Sequence, residues 1–372
     1  MAKQLSSLDM HFLLKELKSL EGSRADRIYS SGREEVYIQL HKSNIGKKII
    51  RILIGKAIFA TEAKNIDETP SGFCMLLRKH LEGKFLESIE QLEPERILKL
   101  VFKSKDEIRR LYLEFFGKGN VILCDGEGII FDSLIRHQFK DRNIAPKEKY
   151  KHPIMAYNFF DINEKRLSEL LKNSKKDKLI TSLATELGLG GVYSEEVCLL
   201  SSIDKNTIPK EISEKQIKSI VNSIKKLINK KSSPKIIFEN DGFIDVALID
   251  LEFYKDYEHK KFSSFSEALE EYFAHELTSI KKKESPYTKK INELSRIIEE
   301  QKASLEGLKS GEEENRKKAE LIYPNYQLIK EILDEINKAS KKYSWEEIKE
   351  KLKGHKIVKD VNLKDKMVVV GI

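Results

Sequence analysis

The sequence predicts an α+β protein with a mostly antiparallel sheet in its first part and helices afterwards. Between residues 27 and 136, short apolar runs are separated by turn residues, which is typical of antiparallel strands. The middle of the chain has helix-length apolar patterns joined by glycines. A heptad pattern begins at Ile291, so the last part is predicted to be a helical coiled-coil arm. Strands followed by helices are the order expected of an α+β chain.

The composition indicates a charged chain of two or three domains. Its 372 residues include 68 Lys and Arg against 60 Asp and Glu, a net charge of +8. This basic excess suggests a polyanionic partner, although many lysines merely keep a surface solvated. No apolar run approaches the roughly 18 residues of a membrane span, and no signal-peptide core opens the chain. We therefore expect a cytoplasmic protein without membrane contact.

The sequence lacks the motifs of catalytic and metal sites. No nucleophile elbow, phosphate-binding glycine–lysine loop or zinc helix occurs, and the eight histidines are scattered. Cys74, Cys124 and Cys198 each stand in an apolar run, and three cysteines cannot make a four-cysteine zinc site. We interpret them as core residues in a reducing compartment. The sequence therefore predicts no cofactor, no metal and no catalytic residue, and it does not indicate an enzyme.

The first helix is predicted from Ser6 to Leu20, because its apolar residues fall on one side and Gly22 follows. Ser6 and Asp9 have the spacing of a capping box, with Asp as a shorter acid than usual. A second helix is predicted after Ser71, ending at Gly83. The predicted strands are 36–40, two within 49–60 that turn near residue 55, 97–102, 109–116, 120–124 and 128–135.

The middle of the chain is predicted to be helical. Two helices, 176–187 and 192–201, are joined by the glycine-rich turn 188–191, and a third runs from near Pro209 to Asn229. A β-hairpin is predicted over 235–251, turning at Asn240-Asp241-Gly242.

The last third is predicted to be an arm that begins near Pro286. The residues at the a and d positions of the heptads are Ile291, Leu294, Ile298, Gln301, Leu305 and Leu308. They allow a dimer through the arm, but a buried amphipathic helix is the alternative, since the repeat lasts under three heptads. A helical stretch over 317–339 is broken at Pro324, and Ser344 to Glu347 is a capping box. The chain ends in a strand-like run, 368–372, so we expect a fragment of a longer protein.

The glycine turn predicts a helix-hairpin-helix that binds phosphate. Gly188, Gly190 and Gly191 let the backbone approach an anion closely, and the amides at the start of the second helix attract its charge. An ordinary glycine-capped helical hairpin is the alternative. Residues 204–235 contain nine Lys against three acids, which favours phosphate contact.

Two charged groups in the first part are further candidates. Arg78 and Lys79 are either phosphate contacts or a polar helix face. Glu95 and Arg96 are either a plain surface pair, worth at most about 1 kcal/mol, or a site in which the carboxylate accepts from ribose or base edges while the guanidinium binds phosphate.

The chain resembles the NFACT family of ribosome quality-control factors, which includes eukaryotic NEMF and bacterial fibronectin-binding protein A. The matching motifs, in family order, are Ser7-Leu8-Asp9, Pro70-Ser71-x-Phe73, Leu77-Arg78-Lys79-His80-Leu81, Gln91 to Ile97, Gly119 to Asp125, Leu187 to Cys198, Phe265 to Leu269 and Ala319 to Asn325. The resemblance implies four parts: an NFACT N-terminal domain (1–172), a helix-hairpin-helix domain with a basic helix and a hairpin (173–262), the outgoing coiled-coil arm (263–311) and part of a middle domain at its tip (312–372). A returning helix and a C-terminal RNA-binding domain would follow.

The resemblance also implies a function. Such a factor binds the large ribosomal subunit, through its rRNA, when it carries a stalled peptidyl-tRNA. It recruits tRNA for C-terminal tailing without mRNA, and the ribosome performs the chemistry. The family's functional acid maps onto Asp9 and its Asp-Arg pair onto Glu95-Arg96, with Glu replacing Asp. Together with Arg78 and Lys79, these residues form the predicted tRNA-binding surface.

Two alternatives come from the same resemblances. The N-terminal part and glycine hairpin are similar to formamidopyrimidine-DNA glycosylases, which would make the protein a DNA-repair enzyme. Those enzymes use an N-terminal Pro-Glu and often a four-cysteine zinc finger, whereas this chain begins Met1-Ala2-Lys3. A shared fold without the glycosylase chemistry is therefore expected. An extracellular adhesin, suggested by the bacterial family name, is not expected because no export signal is seen.

Overall fold

The computed structural model describes residues 3–44, 46–64, 69–139, 141–240, 242–283, 286–363 and 366–371. The chain divides into two compact units, one up to Ile280 and one from Lys281 onward. The first holds a large antiparallel sheet with helices, and the second is mostly helical, so the predicted α+β class is confirmed. The finer division into four parts stays a prediction.

The first helix, α1 (Ser7–Leu17), continues into a 3₁₀ turn over Lys18–Leu20. Its predicted capping box is confirmed: the Asp9 amide donates to Ser6 Oγ at 3.0 Å, and the Ser6 amide donates to Asp9 Oδ2 at 2.9 Å. These two hydrogen bonds pair the backbone amides of Ser6 and Asp9, which have no acceptor within the helix because they lie at its start.

A nine-stranded, wholly antiparallel sheet forms the body of the first unit. Its strands are β1 (Arg24–Ser31), β2 (Glu35–Lys42), β3 (Gly46–Leu53), β4 (Ala57–Thr61), β5 (Phe85–Gln91), β6 (Ile97–Lys103), β7 (Ile108–Glu114), β8 (Asn120–Asp125) and β9 (Ile130–Ser133). Their spatial order is β4-β3-β2-β1-β5-β6-β7-β8-β9. Helix α2 (Gly72–Leu81) lies between β4 and β5 in the chain, begins at the predicted Ser71 cap and packs on β1.

The sheet and the helices share one hydrophobic core. Leu8, Leu13 and Leu17 of α1 are buried together with Ile28 and Leu86 of the sheet. Because α1 packs on β5, the start of α1 lies beside the loop that follows β5, at residues 92–96. This placement brings two of the predicted charged groups to one end of the sheet.

Most of the middle of the chain packs on the same core, whereas Ile144 of its first hairpin is buried in a second, smaller cluster with Tyr112 and Tyr150. Its elements are the hairpin β10 (His137–Gln138) and β11 (Asn143–Ile144), α3 (Glu164–Asn173), α4 (Leu179–Thr185), α5 (Gly191–Ser201), α6 (Glu214–Ile228), β12 (Lys235–Glu239), β13 (Gly242–Ala247), β14 (Glu258–Lys261) and α7 (Phe265–Lys283). The helix predicted over 176–187 is shorter than expected. The helix predicted from Pro209 is divided, because Pro209–Glu211 is a 3₁₀ turn and Ser213 caps a separate α6. The predicted hairpin forms, and β14 adds a third strand to it; Asp241 of the predicted turn lies outside the described residues.

The second unit contains α8 (Pro286–Ile322), α9 (Tyr326–Ala339), α10 (Trp345–Lys351), β15 (Val358–Asn362) and β16 (Met367–Val370). The predicted break at Pro324 and the predicted Ser344–Glu347 capping box are confirmed. The heptad residues of α8 are exposed, from 50% for Leu294 to 70% for Leu308, so the alternative of a helix buried within this chain is wrong. In the part of the chain that the structure describes, no helix has the length and apolar character needed to cross a membrane.

Candidate nucleic-acid interface

A cleft of about 530 Å³ opens in the first unit where three segments meet. They are the residues that lead into α1, the loop between β5 and β6, and the start of α5. The cleft brings together six of the eight residues predicted from the sequence, namely Asp9, Glu95, Arg96, Gly188, Gly190 and Gly191. It therefore joins the predicted phosphate hairpin to the predicted Glu-Arg pair.

The glycine turn ends α4 and opens α5 without a capping side chain. Gly190 is the N-cap residue of α5, with φ +80° and ψ 166°. Among the residues that the structure describes, no side chain caps the start of α5. The first-turn amides of Gly191, Val192 and Tyr193 belong to residues that line the cleft. Uncapped amides and the positive end of the helix dipole make such a terminus suited to an anion.

The loop that carries Glu95 and Arg96 is held firmly on both sides. Gln91 Nε2 donates to the Ser7 carbonyl oxygen and to Ser7 Oγ, both at 2.9 Å, and to the Glu95 carbonyl oxygen at 3.3 Å. The Phe115 amide donates to the Arg96 carbonyl oxygen at 2.9 Å. The side chains of Glu95 and Arg96 are thus carried on a backbone fixed to α1 and to the sheet.

The Arg96 guanidinium is half-buried without a close carboxylate. Burial lowers the pKa of Arg96 from its usual value, and the charge of Glu95 acts in the opposite direction. Burial raises the pKa of Glu95, although Arg96 and the Met155 amide lower it. Among the residues that the structure describes, Arg96 forms no salt bridge within 4 Å. A phosphate in the cleft would supply the anionic partner that this partly desolvated cation lacks.

Asp9 lies beneath the cleft with its carboxylate engaged. It is 1% exposed, and the Tyr193 hydroxyl donates to its Oδ1 at 2.7 Å while its Oδ2 serves the capping box. Lys3 Nζ lies 3.6 Å from Asp9 Oδ2 and 2.9 Å from Asp245 Oδ1. Burial alone would lower the pKa of Lys3, but these two carboxylates outweigh it and raise the pKa. The partial exposure that a direct RNA contact by Asp9 would need is therefore not seen.

Arg78 and Lys79 do not line the cleft. Arg78 lies on α2, where its Nε donates to the Ile28 carbonyl oxygen at 2.7 Å and its guanidinium lies 5.7 Å from the Tyr29 ring centroid. Lys79, next to it, is exposed. Their positions fit the alternative of a polar helix face packed on β1, and the structure places them apart from the other predicted site residues.

Several residues of the cleft were not predicted to form a site. Gln91 and Tyr193 occur inside recognisable motifs, but their partners Ser7 and Asp9 lie 84 and 184 positions away in the sequence. Met155 packs closely against Gly188. A Cβ added at Gly188 would lie only 2.8 Å from the Met155 Cε, so a larger residue would not fit there without a shift of the Met155 side chain. No local pattern indicates such long-range pairs. Within the described residues, no cluster of three His, Cys, Asp or Glu side chains could hold a metal ion.

The fold and the cleft define an α+β chain whose uncapped helix terminus and unpaired arginine face one opening, as in proteins that bind polyanions. A family model described as "NFACT N-terminal and middle domains" matches residues 6–368. The chain therefore belongs to the NFACT family.

The curated relatives are named as ribosome quality-control proteins. "Archaeal Rqc2 homolog aRqcH" of Methanocaldococcus jannaschii is 33% identical over 96% of this chain and 55% of its own length. "Ribosome quality control complex subunit NEMF" of Homo sapiens is 27% identical over 94% of this chain and 35% of its own length. The "Ribosome quality control complex subunit NEMF homolog" of Drosophila melanogaster is 26% identical over 95% of this chain and 42% of its own length. This chain thus spans from a third to just over half of these relatives.

Solved structures show the same fold at low identity. The fibrinogen binding protein from Staphylococcus aureus matches with a TM-score of 0.59 and 19% identity, over 71% of this chain and 97% of that one. The N-terminal part of the fibronectin/fibrinogen-binding protein from Streptococcus suis matches with a TM-score of 0.59 and 21% identity. The match covers 73% of this chain and 100% of that one. These matches support the α+β architecture.

Proposed function

We propose that this chain is the tRNA-binding front part of a cytoplasmic ribosome quality-control factor. Such a factor binds large ribosomal subunits that carry a stalled peptidyl-tRNA and recruits tRNA for C-terminal tailing without mRNA. Family membership and the names of the relatives support this role. The observation that carries the tRNA-binding part is the meeting of Arg96 and the uncapped start of α5 in one cleft.

Each side of the cleft has a distinct task in this proposal. The Arg96 guanidinium donates to one phosphate, and the first-turn amides of α5 donate to a second. The Glu95 carboxylate accepts hydrogen bonds from ribose hydroxyls or base edges, which carry the information that phosphates lack. Asp9 positions α5 from below. Arg78 and Lys79, on α2, lie outside the cleft and have no assigned part in this binding.

The chemistry of tailing belongs to the ribosome in this proposal. The cleft offers a guanidinium, a carboxylate and backbone amides, and it binds and orients RNA rather than transferring a group. Glu95 replaces the family Asp, and its additional methylene moves the carboxylate by more than about 1 Å, a shift large enough to alter positioning. Glu95→Asp is therefore expected to retain or improve tRNA binding.

The test is tRNA binding by the 372-residue chain as a function of salt. Arg96→Ala is expected to weaken binding about 10- to 100-fold, because a charge-assisted hydrogen bond to phosphate is lost. The slope of log affinity against log salt should fall in magnitude by about 0.7 to 0.9, which is the contribution of one phosphate. Fluorescence anisotropy with labelled tRNA measures both quantities.

Arg136→Ala is the matched control. Arg136 is an exposed arginine whose Nη2 lies 2.9 Å from Asp132 Oδ2, so its charge is already paired. Binding that ignores salt, or an Arg96→Ala variant that binds like wild type, would contradict the proposal. A borohydride-trapped adduct with an oxidised-purine DNA duplex would instead support the glycosylase alternative.

A further inference from the structure

One wall of the cleft comes from a segment without helix or strand structure, residues 151–156, which we call the strap. The strap contributes Met155 to the lining of the cleft. Among the residues that the structure describes, no amide or carbonyl of the strap takes part in a backbone–backbone hydrogen bond. The Lys151 carbonyl oxygen accepts instead from Arg142 Nη1, at 3.2 Å. A segment with so few backbone bonds opens at a low cost in free energy.

Aromatic residues fix both ends of the strap. Before it, the buried Tyr150 stacks on Tyr112 at a centroid distance of 4.0 Å, and its hydroxyl donates to Glu114 Oε1 at 2.9 Å. After it, Tyr157 packs against the core and Phe159 is fully buried. Because the two ends are held, the motion open to the strap is a hinge-like swing of its middle residues toward or away from the cleft.

Met155 covers two of the groups that the cleft offers to a ligand. A Cβ added at Gly188 would lie 2.8 Å from Met155 Cε and 2.9 Å from its Sδ, so the thioether fills the space beside the glycine turn. The Met155 amide faces the Glu95 carboxylate: burial raises the pKa of Glu95, and Arg96 and this amide lower it. A ligand that approaches both Gly188 and Glu95 therefore competes with Met155 for the same space.

The strap has room to leave the cleft. Its residues 151–154 line a second cavity, a groove of about 710 Å³ whose lining also includes Phe116 and Phe139. Ile154 is 85% exposed and Phe139 is 42% exposed, so a swing toward this groove would bury apolar surface of both. The strap therefore has an apolar side chain for each of two positions, Met155 for the cleft and Ile154 for the groove.

We propose that the strap gates the cleft: in the free protein Met155 closes it, and RNA binding requires the strap to swing into the groove. This inference rests on the proposed function and adds to it a step that opens the site. When only a fraction of the molecules is open, the apparent affinity is reduced by that fraction. Weakening the Met155 contact therefore raises the affinity for RNA, whereas loss of a residue that binds RNA lowers it.

The test measures binding of labelled tRNA to the full 372-residue chain carrying Met155→Ala. This variant is expected to bind about three- to tenfold more tightly, because the loss of one apolar contact raises the open fraction. The salt slope should stay unchanged, since no phosphate contact is altered. Met155→Leu keeps an apolar side chain of similar volume and should bind like wild type. Met75→Ala is the control: Met75 is 51% exposed on α2 and does not line the cleft.

Hydrogen exchange of the wild-type chain gives a readout that needs no substitution. Saturation with tRNA should speed the exchange of peptides that cover the strap and slow the exchange of peptides that cover the first turn of α5. The strap loses its contacts with the cleft as α5 gains contacts with RNA, so the two changes have opposite signs. A fixed wall of a binding site would instead be protected together with α5.

The outcomes separate the two proposals. If tRNA binding depends on Arg96 but Met155→Ala binds no more tightly than wild type, or if tRNA fails to speed exchange of the strap, the gate is overturned and the cleft stands. If Arg96→Ala binds like wild type, or if the wild-type chain binds no tRNA, both are overturned. Arg96-dependent binding that is tighter in Met155→Ala, together with faster exchange of the strap, supports both.

Discussion

At the scale of single residues, the hydrogen bond between Tyr193 and Asp9 determines how the cleft is built. It is a buried contact of 2.7 Å that joins the first turn of α5 to the first turn of α1. Asp9 serves the helix cap and this bond at once, so its carboxylate fixes the two elements relative to each other. Such a bond matters most when broken, because the buried acceptor is then left without a partner.

Removing the Tyr193 hydroxyl tests this positioning role. Tyr193→Phe is expected to lower the free energy of unfolding by about 1–3 kcal/mol, the cost of an unsatisfied buried acceptor. It should weaken tRNA binding while leaving the salt slope unchanged, because no phosphate contact is lost. Urea unfolding and anisotropy titrations measure the two effects.

A double-mutant cycle with Asp9→Asn sharpens the result. The effects of Tyr193→Phe and Asp9→Asn on unfolding should be strongly non-additive, because they share one interaction. Tyr29→Phe, on β1, is the matched change away from the cleft and should have little effect on tRNA binding. Additive effects, or a reduced salt slope in Tyr193→Phe, would show that these residues act in another way.

At the scale of elements, α5 depends on two adjacent glycines with different roles. Gly190 has a backbone conformation that L-residues other than glycine essentially never adopt, with φ +80° and ψ 166°. At Gly191 an added Cβ would meet no atom within 4 Å, and the residue already belongs to the helix. The first glycine is required by the backbone, and the second leaves space at the mouth of the cleft.

Alanine substitutions at the two positions are expected to separate folding from binding. Gly190→Ala should lower the free energy of unfolding by about 1–3 kcal/mol through backbone strain. Gly191→Ala should leave stability unchanged or raise it by up to about 1 kcal/mol, while its methyl group hinders the approach of a phosphate and weakens tRNA binding several-fold. Thermal unfolding and binding of both variants decide the matter; equal destabilisation, or unimpaired binding by Gly191→Ala, would contradict it.

The elements that could be predicted from the sequence are those with a strong local signal. The Ser6–Asp9 and Ser344–Glu347 boxes and the turn at Gly55 each mark a boundary that the structure has. Strand β14 was missed because all four of its residues, Glu-His-Lys-Lys, are exposed, so no apolar alternation marks it. Strand β5 and helix α3 were also missed, since charged residues interrupt the apolar pattern of each.

At the scale of the whole molecule, the cleft lies entirely within the first compact unit. Its lining runs from Lys3 to Tyr193, whereas the second unit begins at Lys281. The sequence singled out six residues that line one cleft, but it did not show that Arg78 and Lys79 lie apart from it. Which motifs come together in space depends on the order of the strands in the sheet, and no local sequence pattern encodes that order.

Residues 1–280 are therefore expected to fold alone and to retain the site. This truncated chain should unfold cooperatively and bind tRNA with an affinity within about threefold of the full chain, since no lining residue of the cleft is removed. Its Arg96→Ala variant should show the same loss and the same change in salt slope as in the full chain. An insoluble product, or tRNA binding that no longer depends on Arg96, would contradict this expectation.

The second unit presents a different kind of surface. Helix α8 exposes an apolar stripe that includes Ile291, Leu294, Ile298, Leu305 and Leu308. Exposed apolar rows at heptad spacing are suited to another helix. A second copy of the chain is the partner that the sequence predicts for this arm, and the dimer stays a prediction.

The long-range bonds around Asp9 also have a consequence for biosynthesis. The partners of Lys3 and Asp9 are Asp245 and Tyr193, and Ser266 Oγ accepts from the Ala60 amide at 3.1 Å. At about 5–20 residues per second, the start of the chain waits on the order of ten seconds to a minute for these partners to be made. The cleft is thus completed only after residue 245 has been made, later than most of the sheet. A ribosome that stops before residue 245 would release a chain that can form much of its sheet but cannot complete the cleft.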